Sequence, residues 1–269
     1  MRFTVLGASG FIGSHLAAYL RRAGHECMTP ERGDPSIFAD DLGHVIYCIG
    51  LTADFRQRPY DTVEAHVCHL SGILRRARFD SLLYLSSTRV YMHAVAASED
   101  ADLVVNSANP SDLYNLSKLM GESLCLATAG RNVRIARLSN VYGRGADAQN
   151  FLSAVLREAL EGGRVLLETG LDSGKDYVSI SDVVALLPRI SLGGRHRVYN
   201  VASGYNLRNG ELMEKIRELT GCWVEVKDGA ATISFPVIDI RRIRDEFGFS
   251  PSMLKDDLGA LMQQSQTMR

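Results

Sequence analysis

The first half of the chain alternates short apolar runs with longer amphipathic stretches. The apolar runs are RFTVLG, HECMT, HVIYCIG, SLLYLSS and VRIARLS, and each ends near Gly, Ser or Thr, as strands do where they open into loops. Between them, apolar residues recur at helical spacing in FIGSHLAAYLRRAG and in PYDTVEAHVCHLSGILRRAR. Strands that alternate with helices build a parallel sheet covered on both faces. We therefore predict an α/β fold with a doubly wound parallel sheet.

The pattern changes after about residue 143. Helical stretches such as FLSAVLREALEGG, RNGELMEKIRELTG and SMLKDDLGALMQQ alternate there with the short strand candidates VLLE and DYVSI, which is typical of a smaller mixed α/β lobe. Since SDVVALLPRI and YNVAS can return to the main sheet, we expect a discontinuous boundary. The predicted main domain covers residues 1–143 with part of 176–202, and the C-terminal lobe covers 144–175 and 203–269.

The composition is that of an ordinary globular protein. The 269 residues carry a net charge of -1, and Lys and Arg are spread along the chain, so we expect no binding to nucleic acid or to a membrane. No apolar run approaches the roughly 20 residues of a membrane span, and the first residues lack an export signal, which predicts a cytoplasmic protein. The five cysteines form no ligand pattern, so we predict no metal site.

The segment GASGFIG lies directly between the first predicted strand and the first predicted helix. Gly7 allows a tight turn, Gly10 lets the backbone approach a pyrophosphate, and Gly13 permits close packing of the helix on the strand. The helix N-terminus offers free N–H groups to the phosphates. This arrangement predicts a Rossmann-type dinucleotide site formed by Gly7, Ser9, Gly10, Phe11, Ile12 and Gly13.

Glu31 and Arg32 follow the second predicted strand, where side chains contact the adenosine ribose. An acidic residue there favours the ribose 2′-hydroxyl of NAD, whereas an arginine accommodates the 2′-phosphate of NADP. The two residues are adjacent, so the sequence leaves both cofactors open with a slight preference for NAD. Two solvated loop charges are an equally good interpretation.

Tyr114 and Lys118 lie four residues apart in YNLSK, at the start of a predicted helix, and Ser87 ends the fourth predicted strand. Residues four apart share one helix face, so an ammonium near the phenol would lower its pKa and make Tyr114 a usable acid and base. Ser87 would hydrogen-bond the substrate oxygen, and Lys118 could also hold the nicotinamide ribose. We assign Ser87, Tyr114 and Lys118 as the catalytic group, with the last two also contacting the cofactor.

With these motifs the chain resembles an extended short-chain dehydrogenase/reductase, of the nucleotide-sugar epimerase, dehydratase and 4-ketoreductase type. The resemblance spans nearly the whole chain and rests on GASGFIGSHL, HVIYCIG, YLSSTRVY, YNLSK, RLSNVYGRG, KDYVSISDV and YNVASG. It implies catalytic roles for Ser87, Tyr114 and Lys118, and substrate contacts for Asn140 and Lys175. Thr88 is a third candidate for substrate binding. The resemblance also implies a homodimer formed through the helices that contain His66 and Lys118.

Departures from the family pattern reduce the range of reactions that we expect this chain to catalyse. Sugar 4,6-dehydratases resemble one another in an Asp-Glu pair after the catalytic hydroxyl residue, and those positions are Thr88 and Arg89 here, so dehydration is disfavoured. Lys175 stands where an arginine is common, and the later arginine that grips the diphosphate is missing from EVKDGAATISFP. Arg144 or Arg208 could contribute to binding a diphosphate.

Two further features have more than one interpretation. His66 stands where the family commonly has an asparagine that orients the active-site helix, and we interpret it as a packed histidine. The charged loop from Thr52 to Arg58 could recognise a polar group of a substrate or could only be solvated.

The main hypothesis is hydride transfer on a nucleotide-linked sugar, as a 4-ketoreductase or a C4 epimerase. An epimerase retains NAD, whereas a reductase exchanges its cofactor, and the motifs do not report the difference. One alternative is a reductase of a non-sugar ketone or aldehyde. Another is a catalytically silent protein that senses a dinucleotide, since a fold does not itself imply a reaction.

Overall fold

The described residues of this computed structural model, 1–52, 54–145 and 150–266, form eleven strands and ten α-helices. The strands are β1 (Arg2–Leu6), β2 (Glu26–Met28), β3 (His44–Tyr47), β4 (Ser81–Ser87), β5 (Val133–Leu138), β6 (Asn140–Tyr142), β7 (Arg164–Thr169), β8 (Gly174–Ser179), β9 (Val198–Val201), β10 (Asn206–Arg208) and β11 (Trp223–Ala231). The helices are α1 (Phe11–Arg22), α2 (Ser36–Ala39), α3 (Pro59–Val63), α4 (His69–Arg76), α5 (Leu113–Ala127), α6 (Phe151–Glu161), α7 (Ile180–Gly193), α8 (Asn209–Thr220), α9 (Arg241–Phe247) and α10 (Leu254–Gln266). Ala53, in the charged loop, and residues 146–149 and 267–269, in the predicted lobe, lie outside the described residues.

The central sheet has six parallel strands in the order β2-β1-β3-β4-β5-β9. The chain runs outward from β1 in both directions, so the loops that follow β1 and β3 diverge and leave a crevice at the carboxyl ends of the strands. In β4, the first six of the seven residues of SLLYLSS are buried, as expected for a central strand covered on both faces. The predicted doubly wound Rossmann-type sheet is confirmed.

Helices cover both faces of this sheet. On one face α1 and α7 bury Leu16, Leu20, Val183 and Leu187 against β1, β3, β4 and β5. On the other face α2, α4 and α5 contribute Ile37, Ile73 and Cys125 to a second layer of core. The main sheet therefore needs α7 and β9, which come late in the chain.

A separate apolar core lies between α6, α8, α10 and the strands of the smaller part of the molecule. Here β8 lies between β6 and β10, and β11 pairs in parallel with β7. The mixed α/β C-terminal lobe is confirmed as an architecture. Its buried apolar residues come from 142–177, 207–222 and 254–262, whereas Ile243 and Phe249 pack in the core of the main sheet. The predicted boundaries stay a prediction.

A π-helical turn, Glu64–Cys68, joins α3 to α4. Such a turn frees backbone carbonyls from the helix ladder. The Tyr47 hydroxyl donates to the Ala65 carbonyl at 2.7 Å, and the Tyr84 hydroxyl donates to the His66 carbonyl at 3.3 Å. Opposite this turn α5 carries Gly121, where an added Cβ would lie 2.8 Å from the His66 carbonyl oxygen. The glycine therefore allows α5 to approach the π turn closely.

Candidate active site

The crevice opens into a cavity of about 990 Å³ between the main sheet and the lobe. Its walls include the first turn of α1, the carboxyl end of β4, the start of α5 and the β6–β8 region. The cavity therefore brings together the glycine-rich loop with Ser87, Tyr114 and Lys118, although these residues are far apart in the sequence.

The glycine-rich loop has the geometry of a phosphate cradle. Gly7 has a φ of +88°, which favours glycine, and a Cβ on Gly13 would lie 2.2 Å from the Gly7 carbonyl oxygen. Gly10 is exposed at the N-terminus of α1, and Gly10, Phe11, Ile12 and Gly13 line the cavity. The unpaired N–H groups of the first helical turn thus face the space that a pyrophosphate needs. These residues fit a dinucleotide, while Ser9 lies exposed beside them and does not line the cavity.

Glu31 and Arg32 lie beyond the end of β2, on an exposed loop outside the cavity wall. The choice between NAD and NADP stays open at this position.

Tyr114 is 5% exposed, and the Ser87 side chain is near enough to its phenol to lower the pKa of Tyr114. The ring lies against Phe55, with centroids 5.4 Å apart, and meets the edge of His66 at 5.3 Å. Burial raises the pKa of Tyr114, and Ser87 and Arg89 lower it only in part. The expectation that Lys118 lowers the pKa of this phenol is wrong for the structure, because burial dominates and the cation acting on Tyr114 is Arg89.

The Lys118 ammonium contacts the backbone of β4 more closely than it contacts the Tyr114 ring. Its Nζ donates to the Leu85 carbonyl at 2.9 Å and lies 6.0 Å from the centre of the Tyr114 ring. Burial lowers the pKa of Lys118 to about 7, while Glu122 and Cys48 act in the opposite direction. Near neutral pH the charged and the neutral form of Lys118 are therefore both populated.

A buried ion pair anchors the catalytic helix to the sheet. Glu122, on α5, accepts from Arg137 Nη2 at 2.6 Å and from Ser86 Oγ at 2.5 Å. Arg137 also donates to the Tyr91 hydroxyl at 2.6 Å. These bonds tie α5 to β4 and β5, which sets the register that brings Tyr114 and Lys118 to the cavity.

His66 is fully buried, and its ring makes two hydrogen bonds to other segments of the chain. Its Nε2 accepts from the Leu51 N–H at 3.2 Å, so Nδ1 carries the proton and donates to Ser117 Oγ at 2.8 Å. Ser117 in turn donates to the Tyr114 carbonyl at 2.9 Å. The interpretation of His66 as a packed histidine was therefore incomplete, because the residue links the loop after β3 to the catalytic helix.

The three predicted substrate residues all line the cavity. Thr88 is buried beside Ser87, and Asn140 donates from Nδ2 to the Asp176 carbonyl at 2.8 Å. Lys175 Nζ lies 4.8 Å from the centre of the Phe151 ring, and burial, followed by the charge of Arg89, lowers its pKa. Arg144 also lines the cavity, whereas Arg208 does not.

The charged loop divides into two parts. Arg58 pairs with Asp54 and Asp61 at the surface, as the solvated interpretation expects. Phe55, in contrast, lines the cavity, and the Arg56 guanidinium lies 4.6 Å from the centre of its ring.

Sequence reasoning missed Phe55, Ser139 and the role of Arg89 as cavity residues. Ser139 follows β5 and has a buried hydroxyl without a partner among the described residues. Arg89 could have been found, since it comes two residues after Ser87 at the carboxyl end of β4, where catalytic side chains gather.

Two searches of the described residues found nothing. In the parts of the chain that the structure describes, no group of three or more His, Cys, Asp or Glu residues could hold a metal ion. Over the same residues, no helix combines the length and apolar character that crossing a bilayer requires.

Known proteins are similar to this chain in sequence and in fold. The pattern of the NAD dependent epimerase/dehydratase family matches residues 3–202. The GDP-6-deoxy-D-mannose reductase of Pseudomonas aeruginosa is 30% identical over 97% of this chain and 96% of its own. The structure of RMD from Pseudomonas aeruginosa complexed with NADPH, and that of MoeE5 in complex with UDP-glucuronic acid and NAD, are each 25% identical, superpose with a TM-score of 0.83, and match 100% of both chains.

The match to the family covers well over half of the chain, and it includes the glycine-rich loop, Ser87, Tyr114 and Lys118. The predicted dependence on NAD or NADP is confirmed at the level of the family, without a choice between the two cofactors. The chain is an extended short-chain dehydrogenase/reductase and belongs to the NAD-dependent epimerase/dehydratase family.

Proposed function

We propose that this enzyme reduces the 4-keto group of a nucleotide-linked sugar with NADH or NADPH, with a slight preference for NADH. The observation that carries the proposal is that Ser87 and the buried Tyr114 line one cavity together with the glycine-rich N-terminus of α1. Two hydroxyl groups in the wall of one cavity can both bind one carbonyl oxygen.

The roles of the side chains follow from their surroundings. When bound, the nicotinamide supplies the hydride. Ser87 and Tyr114 hydrogen-bond the ketone oxygen, and Tyr114 gives it a proton as the alcohol forms. Because burial raises the pKa of Tyr114, the phenol stays protonated at neutral pH, which is the form that reduction needs. Lys118 would supply positive charge near the nicotinamide ribose.

The residues after Ser87 argue against water elimination. Thr88 and Arg89 have no carboxylate with which to remove a proton from the carbon next to the ketone. Asp176 lines the cavity, but its carboxylate accepts hydrogen bonds from the backbone N–H groups of Ser203, Gly204 and Tyr205. We therefore propose a reductase in place of a 4,6-dehydratase.

Relatives and charge support a nucleotide-linked substrate. The similar reductase is named for a GDP-sugar, and the similar MoeE5 structure holds UDP-glucuronic acid. In this chain Lys175 offers a positive charge for a diphosphate, although it lacks the fork of an arginine. Thr88 and Asn140 would contact the sugar.

We also propose that the enzyme is a homodimer formed through the α3–α4 helix and α5. Met120 and Leu126 on α5 are 54% and 45% exposed, and the apolar surface that they present supports the proposal.

The first experiment is to denature the purified protein and identify any released dinucleotide by mass spectrometry. A reductase should release little cofactor and should then bind NADH or NADPH reversibly. Near-stoichiometric NAD would instead favour the C4 epimerase.

The second experiment compares wild type with Tyr114→Phe in the reduction of 4-keto nucleotide sugars. Turnover should fall by about 10²- to 10⁴-fold while cofactor affinity is retained. Unchanged turnover would contradict the role of Tyr114. A catalytically silent sensor would show no turnover in wild type, and a reductase of non-sugar ketones would act without a nucleotide.

A further inference from the structure

Arg89 presents an unsatisfied hydrogen-bond donor beside the catalytic residues. Its Nε is buried and has no hydrogen-bond partner among the described residues. Nη2 makes one long bond, 3.4 Å, to the Ser111 carbonyl, and the guanidinium lies 5.6 Å from the centre of the Phe55 ring. A buried donor without an acceptor costs stability unless a ligand satisfies it.

Two cations, Arg56 and Lys175, interact with Arg89, while Tyr114 and Asp112 partly offset its charge. Burial, then Arg56, lowers the pKa of Arg89, and Arg89 in turn lowers the pKa of Lys175. Arg56 and Arg89 both lie over Phe55, and Lys175 lines the same cavity. Arg89 and Lys175 place like charges in one cavity, an arrangement that bound anionic groups stabilise.

Nearby carboxylates are engaged elsewhere. Asp112 accepts from the Asn106 N–H at 2.9 Å and from the Asn115 amide at 3.1 Å, and His93 lies 3.3 Å from it. Among the described residues, Arg89 has no ion pair with an acidic side chain within 4.0 Å. Asp112 therefore compensates the charge of Arg89 only from a distance, and the free Nε–H still lacks an acceptor that a bound anion can supply.

The position of Arg89 indicates which part of a substrate it meets. Its backbone N–H donates to Ser87 Oγ at 3.2 Å, and its charge acts on Tyr114. Arg89 therefore lies next to the two residues between which the reacting carbon is proposed to bind. In a sugar that reacts at C4 the diphosphate is attached at C1, across the ring, so a cation beside C4 faces a substituent of the ring itself.

We propose that Arg89 binds a carboxylate on the sugar ring, next to the reacting carbon, so that the substrate is an acidic nucleotide sugar. The planar guanidinium fork matches a carboxylate, and its free Nε–H supplies one of the two bonds. This inference rests on the proposed function, because it takes the reacting carbon to lie between Ser87 and Tyr114. Lys175 remains the candidate for the diphosphate.

The test is a calorimetric titration of the NAD-loaded enzyme with UDP-glucuronic acid, UDP-glucose and UDP. Wild type should bind the acid about 10- to 100-fold more tightly than the neutral sugar. Arg89→Met should lose this preference and keep its affinity for UDP. The matched control is Arg58→Met, which removes an exposed arginine paired at the surface and should change nothing.

Two results would overturn the inference. Equal affinities for both sugars in wild type would remove the need for a carboxylate site. A loss of UDP affinity in Arg89→Met equal to the loss for the acid would place Arg89 at the diphosphate instead. Circular dichroism and thermal melting establish that the variant is folded.

A second measurement does not depend on the nucleotide. Saturation-transfer NMR with glucuronate and glucose should give a signal for the acid alone, and the signal should vanish in Arg89→Met. Equal or absent signals in wild type would contradict the inference. Acid-selective binding without any hydride transfer would instead contradict only the proposed function.

Discussion

His66 Nδ1 and Ser117 Oγ lie 2.8 Å apart, and this bond joins the π turn to the middle of the catalytic helix. Since Nε2 of the same ring accepts from the Leu51 N–H, the imidazole is held neutral between two elements that border the cavity. Burial, then Lys118, lowers the pKa of His66 to about 2 from an ordinary value of 6.5. The ring therefore carries no charge when the enzyme works at neutral pH.

The neutral state of His66 predicts a loss of stability in acid. Below pH 6.5 the unfolded chain binds a proton at this residue and the folded chain does not, so the free energy of unfolding decreases as the pH decreases. The slope from this residue is about 1.4 kcal/mol per pH unit. Urea unfolding of wild type and His66→Asn, from neutral to about pH 5, should show a shallower loss in the variant.

The partly buried His25 provides the control for this comparison. His25→Asn should keep the steep acid slope of wild type. Identical slopes for wild type and His66→Asn would show that His66 is protonated in the folded state.

The pKa of Lys118 predicts how the activity changes as the pH rises above neutral. Burial holds its pKa near 7 in the free enzyme, so the ammonium is present below that pH and is lost as the pH rises through it. The phenol of Tyr114 does not ionise in this range because burial raises its pKa. The value of kcat/KM for ketone reduction should therefore fall above about pH 7 with the loss of one proton.

Lys118→Met should have a low rate without this transition, because the titrating group is gone. A rate in wild type that stays constant up to about pH 9 would contradict the assignment of the transition to Lys118.

Glu122→Gln should destabilise the fold strongly. The change leaves the buried Arg137 guanidinium without its compensating charge, at a cost of about 3–5 kcal/mol. Glu26→Gln, which breaks an exposed pair with Arg2, serves as the comparison and should have little effect. Chemical denaturation of both variants measures the difference, and equal losses would mean that the Glu122–Arg137 pair does not anchor α5.

Gly13→Ala should disrupt the cofactor site. The new methyl group would lie 2.2 Å from the Gly7 carbonyl oxygen, so the strand and helix must separate where the pyrophosphate is expected to bind. Fluorescence titration should show weaker binding of NADH, together with a lower melting temperature. Gly193→Ala, at the open end of α7, meets no atom within 4 Å and should bind NADH normally.

The strands and the catalytic residues could be predicted from the sequence because both depend on local spacing. Apolar runs such as SLLYLSS fill a parallel strand, and residues four apart on α5 share one face, so Tyr114 and Lys118 were recognisable together. The strand β11 was not predicted, since its exposed residues, among them Trp223, alternate with half-buried ones and give no apolar run.

What the sequence could not supply were properties that arise when separate segments meet. The raised pKa of Tyr114 depends on its burial against Phe55, a residue from a charged loop. The two bonds of His66 depend on a π turn that lies against α5. The missing partner of Arg89 is visible only when every neighbouring acceptor has been located.

The late position of α7 and β9 has a consequence for synthesis on the ribosome. The main sheet ends with β9, and α7 covers the apolar face of β1, β3 and β4, yet β6, α6, β7 and β8 come between them and β5 in the chain. The emerging polypeptide cannot close its first core until Val201 has left the exit tunnel. The main sheet therefore stays incompletely folded while much of the lobe is synthesised.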